Sequence, residues 1–262
     1  MRFEDVYQKV GHIPFITKDN ARFIYDLIIN EKKVNILELG FAHGTATCFM
    51  AAALQELGGG SVTAVDLLNA REIFKPSIEE QLEATGLSQY VNIIRMQTGY
   101  TWYLHDEIKR NTINDVCYEI YDLCIIDGPK NWTIDGAAFF MSDKLLKENG
   151  YIIFDDYLWT YAAADNSRDV TDGISHRSLS EEERVTPQIR EVFELLVKQH
   201  PNYGNLQVIE GGEWVIAQKT KSQNKSYVIV HRETMKSMFA TLIYKLYKHL
   251  LRSGKKPYTT TK

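Results

Sequence analysis

Apolar and polar positions along residues 19–155 switch regularly between two periods. Five short apolar runs, at 34–39, 61–66, 91–96, 121–126 and 151–155, stop at glycine, at carboxylates or, for 91–96, at Gln97-Thr98. A run of that length with polar bounds predicts a strand buried on both faces. Helical spacing fills the intervals. Residues 19–30 predict a helix with Thr17 as cap, and residues 44–57 place Ala46, Phe49, Met50, Ala53, Leu54 and Leu57 on one face before Gly58-Gly59-Gly60 ends it. Ser77 with Glu80 forms a capping-box pattern opening a helix that ends near Gly86; further helices are predicted from about Tyr100 and over 134–147. Residues 157–185 are polar and irregular, Thr186-Pro187 opens a helix, and the runs 206–209 and 214–217 flank Gly211-Gly212 as a hairpin. The sum is an α/β fold: a Rossmann-like, doubly wound, seven-stranded, mostly parallel sheet in which the C-terminal hairpin supplies one reversed strand.

Composition leaves that picture intact, with 44% hydrophobic and 24% charged residues in a chain of 262. Cys48, Cys117 and Cys124 are odd in number and lack metal-ligand spacing, which reads as reduced core thiols. The charged start, Met1-Arg2-Phe3-Glu4-Asp5, has no apolar segment behind it, and no stretch is long enough to span a bilayer, so a cytoplasmic location is expected. Charge does change the picture. Residues 219–262 hold eleven Lys or Arg and one acid, a net +10, which leaves −14 on residues 1–218. The sequence therefore divides into an acidic body, 1–218, and a basic tail, 219–262, and an acidic body argues against a nucleic-acid partner. In the tail, Met238, Phe239, Leu242, Ile243, Leu246, Tyr247, Leu250 and Leu251 fall on one helical face, with Lys236, Lys245, Lys248 and Arg252 off it or at its edges. Such a helix, over 233–252, can lie on an anionic membrane, on the body, or on a second subunit of a homodimer.

Candidate chemistry sits where the strands stop. Asp127 ends the fourth strand, and Asp155 with Asp156 ends the fifth. In an open α/β sheet that edge binds ligands, and three hard oxygen donors there suit a Mg²⁺-like cation, or else cap local backbone. Lys130, three residues past Asp127, is either a base or a solvated lysine after a turn. The first strand runs into Glu38-Leu39-Gly40-Phe41-Ala42-His43-Gly44-Thr45, where Gly40 permits a tight turn and Gly44 a close ligand approach at a helix N-terminus. Asp66, ending the second strand, is placed for a ribose diol. Ala42 breaks the dinucleotide fingerprint, and Glu38 would repel a pyrophosphate but suits a cationic amino-acid group.

Glu38-Leu39-Gly40, Asp66, Ile126-Asp127 and the terminal hairpin resemble the class I S-adenosylmethionine-dependent methyltransferases. Asp127-x-x-Lys130 with Asp155-Asp156 resembles, more narrowly, the cation-dependent O-methyltransferases of the catechol and caffeoyl-CoA type. Those enzymes usually carry Asp-Asn where this chain has Asp-Asp, a pair similar to that of metal-dependent sugar O-methyltransferases. The likeness covers roughly residues 11–218. It implies a lid over 11–31, an acceptor loop over 157–185, and S-adenosylmethionine contacts from Glu38, Gly40, Phe41, Gly44, Thr45, Asp66, Gln97 and Asp127. It further implies Mg²⁺ or a similar ion on Asp127, Asp155 and Asp156, Lys130 as general base, and a small hydroxyl acceptor, sugar or catechol. A base at Lys130 needs its pKa, ordinarily about 10.4, to be lowered. Trp132, Trp159 and Tyr161 could wall the acceptor or pack the core. His12, Thr17 and His43 lie close by, His43 with a backbone or solvent partner expected.

Overall fold

Strands form where the apolar runs predict them. In a computed structural model that describes residues 1–163, 179–209, 213–222 and 235–253, β1 (Asn35–Leu39), β2 (Ser61–Leu67), β3 (Val91–Met96), β6 (Tyr121–Ile126) and β7 (Leu146–Phe154) lie parallel. The short pair β4 (Thr112–Ile113) and β5 (Val116–Cys117) makes a separate hairpin. β8 (Tyr203–Val208) and β9 (Val215–Lys219) complete a seven-stranded sheet in the order β3-β2-β1-β6-β7-β9-β8, in which β9 is the reversed strand. Ile36, Leu37, Leu39, Leu123, Cys124, Ile152, Ile153 and Phe154 are buried, as a sheet covered on both faces requires.

Two apolar cores flank the sheet. One joins α1 (Phe3–Val10), α2 (Lys18–Glu31), α3 (Thr45–Leu57) and α5 (Ile78–Thr85) to it; the short α4 (Ala70–Ile73) adds buried Ala70 beyond β2. The other joins α6 (Tyr100–Arg110), α7 (Trp132–Asp143) and the stretch 188–197, where α9 (Gln188–Glu191) widens into a π-helical turn, Val192–Val197. α8 (Glu181–Val185) precedes it, and Pro187 stands at the N-cap of α9, one place earlier than expected. Thr17 caps α2 by accepting from the Asn20 amide at 3.2 Å, and Ser77 and Glu80 make the reciprocal capping box of α5.

Two expectations change. The helix predicted over 134–147 ends at Asp143, and β7 begins at Leu146, because the polar stretch 147–149 is carried within a strand whose first residue pairs with Tyr121. α1 was not expected: its charged residues conceal a stripe of Phe3, Val6 and Val10, all buried.

The chain forms two compact units, Met1–Lys225 and Ser226–Lys262. Within the second, α10 (Met235–Ser253) is a helix of 19 residues. No described helix is long and apolar enough to cross a membrane. Most of the expected acceptor loop, residues 164–178, lies outside the described residues.

Candidate active site

The C-terminal ends of β1, β2, β3, β6 and β7 converge on a cavity of about 950 Å³. Gly40, Ala42, Asp66, Leu67, Thr98, Gly99, Tyr100 and Thr101 line one part of it, and Asp127, Lys130, Asp155 and Asp156 another. Phe15, Ile16, Thr17 and Asn20 join from the start of α2 and the segment before it, with Ile73 and Phe74 after β2, Trp159 after β7 and Glu213 before β9.

The three predicted acids meet around Lys130. Its ammonium donates to Asp127 and lies 3.3 Å from Asp155 Oδ2 and 3.4 Å from Asp156 Oδ2, with its side chain only 2% exposed. Lys130 (φ 61°) and Asp156 (φ 59°) both adopt the left-handed backbone conformation, which side-chain-bearing residues hold only where surrounding contacts over-determine it. Those contacts are visible. The Pro129 carbonyl accepts from the Tyr161 hydroxyl at 2.5 Å, the Asn131 amide donates to Asp135 at 2.6 Å, and the Trp132 amide donates to Gln188 Oε1 at 2.7 Å. Tyr100 donates to Asp135 from above Gly128, where a Cβ would meet the tyrosine oxygen at 2.0 Å. Elements on several sides thus fix the turn that presents Lys130.

This arrangement reverses one expectation. Burial alone would lower the Lys130 pKa, but the charges of Asp127, Asp155 and Asp156 outweigh it and hold the group well above its ordinary value. Lys130 is an ammonium here, not a poised base. Asp127 is raised, by desolvation first and then by Asp155, against the opposing pull of Lys130.

Among the described residues, no three His, Cys, Asp or Glu side chains stand in metal-holding geometry. The ammonium occupies the centre of the cluster instead. In kind the donors still fit a hard divalent cation. Three carboxyl groups face one ammonium, and all three supply oxygen.

The glycine loop is built by close approach. Gly40 (φ 89°) leaves no room for a side chain, since a Cβ would stand 2.0 Å from the Asp127 carbonyl oxygen. The loop therefore lies directly against the strand end that carries Asp127. Asp66 accepts from the Phe41 and Ala42 amides at 3.0 and 2.9 Å, so it shapes the loop as well as facing the cavity.

Residues 37–157 match the pattern of a family described as a methyltransferase domain. The match spans a little under half of the chain. The matched span includes the glycine loop, Asp66, Lys130 and all three acids of its cluster. An O-methyltransferase from Bacillus cereus, solved in complex with SAH, has a TM-score of 0.56 at 22% identity, over 82% of this chain and 89% of its own. An O-methyltransferase from Streptomyces achromogenes involved in tomaymycin synthesis, in complex with SAM, gives 0.56 at 15% identity over 83% and 87%. SAH-bound methyltransferase PaMTH1 from Podospora anserina gives 0.54 at 14% over 83% and 87%. At such identities the likeness shows the fold alone, a Rossmann-like α/β sheet. A comparison with curated proteins gives no match.

Around this cavity the expected cofactor residues divide. Gly40, Asp66 and Asp127 line the cavity; Glu38, Phe41, Gly44, Thr45 and Gln97 do not. Phe41 is buried with the Arg95 guanidinium 5.1 Å from its ring, and Thr45 is buried within 3.5 Å of the Gln81 amide nitrogen. Gly44 (φ 81°) makes room for Ile78 rather than for a ligand. Gln97 is exposed outside the cavity, and Thr98, Gly99 and Thr101 take the place expected of it. Glu213, which comes from the hairpin and accepts from Asn20 Nδ2 at 3.0 Å, had no signal in the sequence beyond its place between predicted strands. Trp159 faces the cavity, Tyr161 is buried and Trp132 lies outside the lining. Thr17 reaches the lining, His12 is exposed, and His43 pairs with the Pro76 carbonyl at 2.9 Å while stacking on Phe15.

Glu38 departs furthest from its expected post. It lies buried beneath the loop, where Thr47 donates to it at 2.5 Å. Burial first, and Asp66 last, outweigh that hydrogen bond and push its pKa up to about 8. At neutral pH it is therefore mostly protonated, and not the anion expected to face a cofactor ammonium. A raised acid binds its proton more tightly when folded, so its contribution to stability is complete below the unfolded value and is lost as pH rises through about 8. Denaturant titrations of the wild type are expected to lose a few kcal/mol between pH 5 and 8 from this group. Glu38→Gln should flatten that slope and gain on the wild type most at pH 8. Parallel pH profiles would refute the buried neutral acid.

Proposed function

We propose that the chain is an S-adenosylmethionine-dependent O-methyltransferase that uses Mg²⁺ or a similar divalent cation to methylate a small neutral diol, a sugar before others. The observation carrying this reading is the convergence of Asp127, Asp155 and Asp156 on a single ammonium, in the cavity that also holds the glycine loop and Asp66. Five carboxylates line that cavity, Asp66, Asp127, Asp155, Asp156 and Glu213, against the one lysine. Such a field attracts a cationic sulfonium and disfavours an anionic acceptor. The solved neighbours bound to SAM or SAH support the same cofactor.

When bound, a divalent cation lowers the pKa of a hydroxyl that coordinates it and fixes the direction of that oxygen. Asp127, Asp155 and Asp156 would hold it. The glycine loop and Asp66 would seat the cofactor on the other side of Asp127, so the chain's main task is to bring oxygen and methyl into line. Lys130 balances charge while the three carboxylates hold it, and serves as a base only once that cage is broken. Thr17, Asn20 and Glu213 offer polar partners to further hydroxyls, which favours a polyol. Phe15, Phe74 and Trp159 favour a catechol-like acceptor as the second reading.

The test is transfer of labelled methyl from S-adenosylmethionine to sugars and catechols, with and without EDTA. Transfer indifferent to EDTA would remove the cation; transfer to neither class would remove the acceptor assignment.

A further inference from the structure

The proposed function leaves the C-terminal unit without a role. Its helix, α10, places Phe239, Leu242, Ile243, Leu246 and Tyr247 at the spacing i, i+3, i+4, i+7, i+8, a broad apolar sector rather than a narrow coiled-coil seam. These side chains, and that of Tyr244 beside them, are between 55 and 62% exposed. Apolar exposure on that scale along one helix marks a surface made for a partner.

The charges indicate which partner. No acid occurs among the helix's 19 residues, while Lys236, Lys245, Lys248 and Arg252 do. Lys248 Nζ lies 5.4 Å from the centre of the Tyr244 ring, an amine beside an aromatic of the kind that suits the boundary between headgroups and acyl chains. Residues 219–262 carry +10 and residues 1–218 carry −14. A helix basic on its polar side, apolar and aromatic on the other, matches an anionic bilayer.

We propose that α10 binds the surface of an anionic membrane, lying in the headgroup plane with Phe239, Leu242, Ile243 and Leu246 toward the acyl chains and its lysines toward the lipid phosphates. This proposal is independent of the acceptor and of the cation.

The full-length chain would be co-sedimented with vesicles of phosphatidylcholine alone and with vesicles that also contain phosphatidylserine. Partition onto the anionic vesicles is expected to be about tenfold higher and to fall with added salt. Leu242→Glu combined with Leu246→Glu should abolish it, and Lys245→Gln with Lys248→Gln should reduce it to the level of the neutral vesicles, both with the unfolding transition of the body unchanged. Equal partition onto both vesicle types, or none onto either, would overturn the proposal. So would a dimer in sedimentation velocity that the Leu242→Glu, Leu246→Glu chain loses, since the apolar face would then belong to a second copy.

Discussion

Asp155→Ala is expected to lower methyl transfer by about three orders of magnitude, equivalent to about 4 kcal/mol of transition-state stabilisation, while S-adenosylmethionine still binds. The expectation rests on position. Asp155 follows β7 and points its carboxylate at Lys130 from 3.3 Å, whereas the residues nearest the glycine loop are Asp66 and Asp127. Removing Asp155 takes away one of three oxygen donors and leaves the loop's hydrogen bonds in place. Cofactor affinity by calorimetry and turnover with labelled methyl separate the two effects. Unchanged turnover would show that the acids do not act in the reaction, and lost cofactor binding with a lowered melting temperature would show that Asp155 holds the fold.

Lys130→Met should destabilise the protein by about 3–5 kcal/mol in the absence of divalent ions, because it strips the counter-charge from three clustered carboxylates. Mg²⁺ should restore most of that loss. On the proposed reading the ion would compete with the ammonium for the same oxygens, so the variant is expected to show a larger Mg²⁺-induced rise in melting temperature than the wild type. Binding to the folded state at a hundred times the Kd contributes about 2.7 kcal/mol. A variant destabilised as expected but indifferent to Mg²⁺ would mean that the cluster is built for its lysine and not for a cation.

Much of the fold was legible because strands buried on both faces are written as unbroken apolar runs, and 91–96 and 121–126 coincide with β3 and β6 to the residue. The start of β7 was not, since Lys147, Glu148 and Asn149 read as helix end or turn; in the structure they lie in the register shift between the Tyr121–Leu146 and Leu123–Tyr151 pairs. The acid cluster was legible for the same reason as the strands, because a carboxylate that stops a buried run must emerge at the sheet edge. What sequence could not supply was the competition among neighbours. Lys130 looked like a base until three carboxylates closed on it, and Glu38 looked like an anion until Thr47 and the loop buried it. Gln97 and Thr98 are adjacent and both polar, yet only Thr98 lines the cavity.

On the proposed reading the three acids hold a divalent cation that prepares a hydroxyl for methylation. The most direct measurement of that role is labelled methyl transfer from S-adenosylmethionine to sugar and catechol acceptors by the full-length protein, first stripped with EDTA and then resupplied with Mg²⁺. No transfer is expected after stripping, and recovery on resupply, with a methyl ether as product. Full transfer by the stripped protein would contradict that role.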